Sequence, residues 1–319
     1  MALPKIPFRK KQPKEFLLIE IGLEVVNIAK LTLDPEPKIE EVGRKKFTTL
    51  DEMFNASLEA IDELAGKSPD LPKVAILGVS GGPMKTETTV AQYKRQEPKE
   101  PISDEEVAKV LEKVSAREEP GDLKLFFSTI ASANIDDTKV SNPIGIKGES
   151  AALSCFIAYK RPEELEVFDK LIDEIDMELE KIIPTSFAVA KMVLKKGTEE
   201  ALLLRLSANR TEATLLTKGH IDRIVQFDLG VSNPELFIAG LEVVLEKLPE
   251  EVKPQFIYLY PDNSDVDLVE ISEVLKEIPW SRFGFEKTPE ISVPKEGGGD
   301  GDEAPEDTGL SALTMEATE

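Results

Sequence analysis

One order of elements occurs twice in this chain, and internal repetition constrains an architecture before any single residue does. In the first copy, EFLLIEI (15–21) and EVVNIAKLTL (24–33) read as a hairpin around Gly22, and KIEEVGRKKF (38–47) as a third strand. LDEMFNASLEAIDELAG (50–66) carries Met53, Phe54, Leu58, Ile61 and Leu64 at helical spacing and ends on Gly66. KVAILGVS (73–80) is an apolar run of the kind found in strands covered on both faces. The second copy begins at 201. ALLLRL and EATLLTK form a hairpin around the turn SANR (207–210), and HIDRIVQFDLG follows as a third strand. NPELFIAGLEVVLEKL (233–248) is a helix, QFIYLY (255–260) an apolar strand and VDLVEISEVLKEI (266–278) a closing helix.

Between the copies lies a third unit, 84–182. It holds a strand (TETTVAQYKR), a helix opened by Ser103 with Glu106 placed for a capping box, a strand (LKLFFSTIASANI), a turn-rich stretch (VSNPIGIKGES), a strand (AALSCFIAY) and a helix (PEELEVFDKLIDEIDMEL). The layout predicted is a basic tail (1–15), a first lobe (16–83 plus 183–200), an inserted α+β subdomain (84–182), a second lobe (201–295) and an acidic, glycine-rich tail (296–319) of disordered composition.

Composition narrows the function classes. Asp and Glu number 61 against 39 Lys and Arg, a net charge of -22, which repels phosphate backbones and argues against nucleic acid. With one Cys (Cys155, inside ALSCFIAY) and one His (His220, at a turn), zinc sites and Ser-His or Cys-His catalysis lack their partners. No metal site and no catalytic residue is expected. GGPMKT (81–86) lacks phosphate-loop spacing, PDNSDVD (261–267) reads as a helix-capping loop, and Trp280 and Phe283 read as lobe packing. No stretch is long and apolar enough to span a membrane, and the basic N-terminus lacks the apolar core of a secretion signal, so a cytoplasmic location is expected. Five basic residues within 1–14 allow at most a peripheral contact with anionic lipid at the inner face of the membrane, against the plainer reading of a solvated tail.

Duplicated strand-strand-strand-helix-strand units resemble the ribonuclease H-like lobes of the actin superfamily, an α/β class in which nucleotide sits between two lobes. The order hairpin lobe, inserted subdomain, hairpin lobe resembles the FtsA family of bacterial division proteins, whose insertion is of the SHS2 type. FLLIEIGLEVVNIAKL, VAILGVSGG, ISDEEVAKVLEKV, NPIGIKGESAALSCFIAY and IIPTSFAVAKMVL carry that likeness over roughly 16–280. The PilM family of type IV pilus scaffolds shares the architecture and is the nearest rival.

This resemblance implies three nucleotide elements. The first, Asp-x-Gly-[Thr/Ser], reads Glu20-Ile21-Gly22-Leu23 here. The second, Asp-x-Gly-Gly-x-x-Thr, reads Arg205-Leu206-Ser207-Ala208-Asn209-Arg210-Thr211. The third, a Gly-Gly turn, reads Tyr260-Pro261-Asp262-Asn263. Glycine serves such turns because close backbone approach and positive φ cost it little. Glu20, Gly22 and Thr211 are what remains of a phosphate site. The expectation is a non-catalytic scaffold without cofactor, FtsA-like, acting through protein contacts in division or envelope assembly, with self-association through the inserted subdomain. A PilM-like pilus scaffold, or an ATPase that binds ATP and Mg²⁺ at the three residues, are the alternatives. The interval before QFIYLY holds one helix, where the FtsA resemblance implies a further subdomain that contacts FtsZ; its absence weighs against direct FtsZ binding.

Overall fold

In the computed structural model, described over residues 14–68, 70–116, 121–140, 142–248, 252–293 and 307–318, the two copies become two sheets of the same design. The first contains β1 (Glu15–Ile21), β2 (Val25–Thr32), β3 (Lys38–Lys46), β4 (Val74–Val79) and β9 (Glu178–Pro184), in the order β3-β2-β1-β4-β9. The second contains β10 (Ala201–Leu206), β11 (Thr211–Thr217), β12 (His220–Phe227), β13 (Phe256–Pro261) and β14 (Glu290–Ser292), in the order β12-β11-β10-β13-β14. In each, a hairpin strand pairs antiparallel on one side and parallel with the later apolar strand on the other.

Period-two alternation decides what each face buries. Leu17, Ile19 and Ile21 face outward, where α1 (Leu50–Lys67) and α3 (Pro162–Glu174) cover them. Phe16 and Leu18 face the second sheet. In β10, Leu202, Leu204 and Leu206 face outward under α5 (Pro234–Glu246) and α6 (Leu268–Lys276), while Ala201 and Leu203 face inward. Glu20 and Arg205 continue the two inward series, so the pattern aims an acid and a base at each other across the middle of the molecule.

Two helices fill that middle layer: α4 (Thr185–Lys195), and α7 (Thr308–Thr318), which corrects the expected acidic tail. Leu310, Ala312 and Leu313 of α7 are fully buried beside α4 and the inner face of the first sheet. Asp307 pairs with Arg44, and Glu316 with Lys191 at 2.6 Å, while Lys181 donates to the Glu316 carbonyl at 2.7 Å. The acid-rich composition of 296–319 hid a short apolar stripe, Leu310, Leu313 and Ala317, at helical spacing. The basic tail up to residue 13, and residues 294–306, lie outside the described residues.

The inserted subdomain forms a sheet of β5 (Met84–Lys94), β6 (Lys124–Ile135), β7 (Thr138–Val140) and β8 (Ser150–Lys160), in the order β5-β8-β6-β7. Its helix α2 (Asp104–Ser115) packs Val107, Val110, Leu111 and Val114 against Leu153, Cys155 and Ile157. Cys155 is buried as a small apolar side chain. The capping box is half made: Ser103 accepts from the Glu106 amide, but the Glu106 carboxylate is taken by Arg95 through two 2.8 Å bonds and by Tyr93 at 3.0 Å. The expected boundary at 182 moves back to about Lys160, because α3 packs on the first sheet and β9 pairs with β4. The helical reading of 162–179 ran through Asp176, whose φ of 51° ends the helix and starts that strand. At its other edge the subdomain leans on the second lobe: Thr88 donates to the Ile221 carbonyl, and Thr86 accepts from the Ile224 amide at 2.9 Å.

Replacing Leu313 with Ala tests whether α7 is part of the core. A fully buried leucine cut back to Ala costs about 2–5 kcal/mol, read as a lower urea midpoint at unchanged m-value. A cost near that of an exposed leucine would return 307–318 to the status of a tail.

Candidate functional site

Arg205 lies where the C-terminal ends of the inner strands converge, and it is 2% exposed. Its guanidinium reaches three groups at once: Nη2 donates to Glu20 Oε1 at 2.6 Å, Nη1 to Ser80 Oγ at 2.8 Å, and Nε to Asp262 Oδ1 at 2.8 Å. Glu20 and Ser80 belong to the first lobe, while Asp262 follows β13 in the second. A planar fork of donors suits this arrangement. Asn27, opposite Glu20 in the β1–β2 ladder, donates to its other oxygen at 3.0 Å. Burial raises the Glu20 carboxyl above the usual carboxylate range, against the pull of Arg205 and Asn27. Burial also works against the charge on Arg205, but Glu20 and Asp262 together raise its pKa above the free-arginine value, so the guanidinium stays charged.

Asp262 does a second thing. Its Oδ1 accepts from the Leu23 amide at 2.8 Å and its Oδ2 from the Glu24 amide at 2.7 Å. These are the backbone donors of the turn between β1 and β2, the position at which the resemblance expects phosphate. Gly22 sits under this contact: a Cβ there would lie 2.4 Å from Asp262 Oδ1 and 2.8 Å from Arg205 Nη2.

The SANR turn closes against the same hairpin. Ser207 and Arg210 bond to one another across the turn, at 2.9 and 3.0 Å. Asn209 then donates to Glu24 at 2.8 Å, and Arg210 to the Leu23 carbonyl at 3.0 Å. The two hairpins thus interlock across the lobes.

Of the residues singled out in the sequence, Glu20 and Gly22 are brought together here. Thr211 is not: its hydroxyl donates to the Leu229 carbonyl at 2.9 Å, within its own lobe. Asp262 and Ser80 were missed as site residues. The carboxylate lost from the second element, where Arg205 stands, reappears in the third at Asp262, and that exchange of sign was the signal available in the sequence. Asp267, at the end of PDNSDVD, caps α6 through the amides of Val269 and Glu270, as a capping loop should.

A cavity of about 300 Å³ opens beside the Arg205 site and shares Gly22, Leu23, Ser80 and Arg210 with it. Phe47, Leu50, Met53 and Phe168 give it an apolar part, Arg161, Glu163 and Glu164 a charged one, and Gly81-Gly82-Pro83 lead past it into the inserted subdomain.

No family model matches the sequence, and no curated protein matches it. Solved structures do. One, described as a PilM-PilN type IV pilus biogenesis complex, superposes with a TM-score of 0.58 at 12% identity, over 97% of this chain and 99% of the other. A second, a protein of actin-like ATPase fold and unknown function from Bacteroides thetaiotaomicron, gives 0.50 at 9% identity, over 96% and 97%. The chain has the actin-like ATPase fold. Within that fold, the place between the lobes is held by Arg205 and Asp262.

Removing the guanidinium leaves two buried carboxylates facing each other. Arg205→Ala is expected to cost about 3–5 kcal/mol of unfolding free energy. Arg205→Lys should recover only part of it, since one ammonium cannot replace three directed bonds. Full recovery with lysine in denaturant titrations would show that charge alone matters here.

Proposed function

We propose that this chain is a non-catalytic, actin-like scaffold of a bacterial envelope assembly, closer in role to PilM than to FtsA. The observation that carries the proposal is the Asp262 carboxylate on the Leu23 and Glu24 amides, with Arg205 beside it. A nucleotide phosphate needs those donors and brings negative charge. Here a tethered carboxylate already satisfies them. Glu20, the acid left from the metal-organising position, is spent on Arg205 and Asn27. The residues present therefore do not fit ATP and Mg²⁺, and no catalytic step is assigned to them.

An ATPase of this fold works by moving its lobes around nucleotide. In this chain the lobes are held by the Arg205 cluster, by the interlocked hairpins, by α7 between the sheets and by Thr86 and Thr88 against β12. Such a body suits holding a partner. The likeness to PilM, solved with PilN, supports a role in pilus or related assembly. Between β12 and β13 the described residues form one helix, α5, and the interval in which FtsA resemblance implies an FtsZ-contacting subdomain is too short for one. Self-association through the inserted subdomain stays part of the proposal. The cavity by Phe47 and Phe168 is where a partner segment would dock, being concave and partly apolar, with Arg161, Arg210, Glu163 and Glu164 among its lining. The location proposed is the cytoplasm, at the inner face of the membrane. Among the described residues no helix is long and apolar enough to cross one.

Calorimetric titration with ATP and Mg²⁺ is expected to give no Mg²⁺-dependent binding at micromolar concentrations; such binding would return the chain to the working ATPases. Pull-downs with a PilN N-terminal peptide and with an FtsZ C-terminal tail should retain only the first. Leu50→Glu should abolish that retention while leaving the melting temperature within about 2 °C, as for a half-buried surface position.

A further inference from the structure

Arg205 is surrounded by more acid than it can neutralise. Glu20 and Asp262 contact it directly, and Glu212 stands beside it on the neighbouring strand, in register across the β10–β11 ladder. All three carboxyls are fully buried. Among the described residues Glu212 has no cation in contact. One of its oxygens accepts from the Ser186 hydroxyl at the start of α4, and the other, Oε2, has no hydrogen-bond partner among them. The nearest further cation, Lys160, turns its buried ammonium to the Gly81 carbonyl at 2.6 Å and to Glu164 at 3.3 Å. Among the described residues, the other elements packed here add no positive charge: Asn27 from β2, Thr185 from α4, Thr214 from β11, Tyr260 from β13, and α7 through Gly309, where a Cβ would lie 1.7 Å from Glu20 Oε1. Three ionised carboxylates on one guanidinium would leave unpaired charge in a dry interior, which proteins avoid by keeping a proton.

We propose that Glu212 holds that proton, and that the two lobes are locked more tightly while it does. Glu20 is the weaker candidate, because Arg205 and Asn27 both favour its charged form. Nothing is transferred in this device except one proton, exchanged with solvent when the lobes open.

The direction of the effect follows from linkage. Burial raises the Glu212 carboxyl above its ordinary 4.5, with the Ser186 bond opposing. The folded chain then binds a proton that the unfolded chain releases. Its stabilising effect is complete below the ordinary value and is lost as pH rises towards the folded one. Alkali therefore loosens the lobes, and acid above the ordinary range holds them.

The test compares the native chain with Glu212→Gln, which keeps the shape of the protonated acid and cannot ionise. Melting temperatures taken from about pH 4 to about pH 9 should agree at the acid end, below the ordinary carboxyl value, and separate as pH rises, with the variant higher by about 2–4 °C for each tenfold gain in proton affinity. Amide exchange at Leu23 and Glu24, the donors held by Asp262, should quicken with pH in the native chain and not in the variant beyond the intrinsic base dependence. Should the variant fail to fold, infrared spectra of the native chain decide: a protonated-carboxyl stretch at neutral pH that vanishes in alkali supports the proposal. Parallel melting curves, or no such band, overturn it. So does a native melting temperature that follows sodium or potassium concentration at fixed pH and ionic strength, which would place a cation rather than a proton on Glu212.

Discussion

A buried guanidinium that must be shared is the constraint on which this molecule turns. Arg205 is too costly to bury alone, and its three acceptors come from two sheets that are far apart in sequence. The lobes must meet for the arginine to be satisfied, and the arginine must be present for Glu20 and Asp262 to tolerate burial. Each half of the site is a fault without the other. This mutual need, more than apolar contact, sets the separation and register of the lobes, since apolar faces slide and directed bonds do not.

The same contact accounts for the remaining chemistry. In an actin-like lobe the first hairpin offers backbone amides to an anion. Here the anion is a side chain of the opposite lobe, delivered by the strand that ends Tyr260-Pro261-Asp262. On the scaffold reading proposed above, the anion at this hairpin is covalently part of the chain, and closure does not wait on nucleotide concentration.

Much of this was legible in the sequence. Alternation in EFLLIEI and ALLLRL fixes which faces are inner, and so aims Glu20 and Arg205 at the same place. The repeated element order gives both sheets. The site was half legible: the loss of glycine and the change of charge at 205 were visible, but their compensation at Asp262 was not, because it joins positions 57 residues apart that only the folded strand order brings together. Two elements were hidden for local reasons. β9 is short and follows a helix without glycine or proline at the break, the reversal being made by Asp176. α7 lies behind an acidic, glycine-rich stretch whose composition masks the apolar stripe Leu310, Leu313 and Ala317.

The position of α7 has a further consequence for how the chain is made. By Ser292 every described strand has been synthesised, yet the layer between the sheets holds α4 without α7 until 307–318 arrive. Leu310 and Leu313 must then pack beside strands laid down nearly three hundred residues earlier, a contact of very long sequence separation. During synthesis the part of the first sheet's inner face that α7 covers therefore remains open, the state in which nascent chains stick to neighbours and chaperones. A chain lacking 307–318 would carry both sheets and still be without one of the two helices described between them.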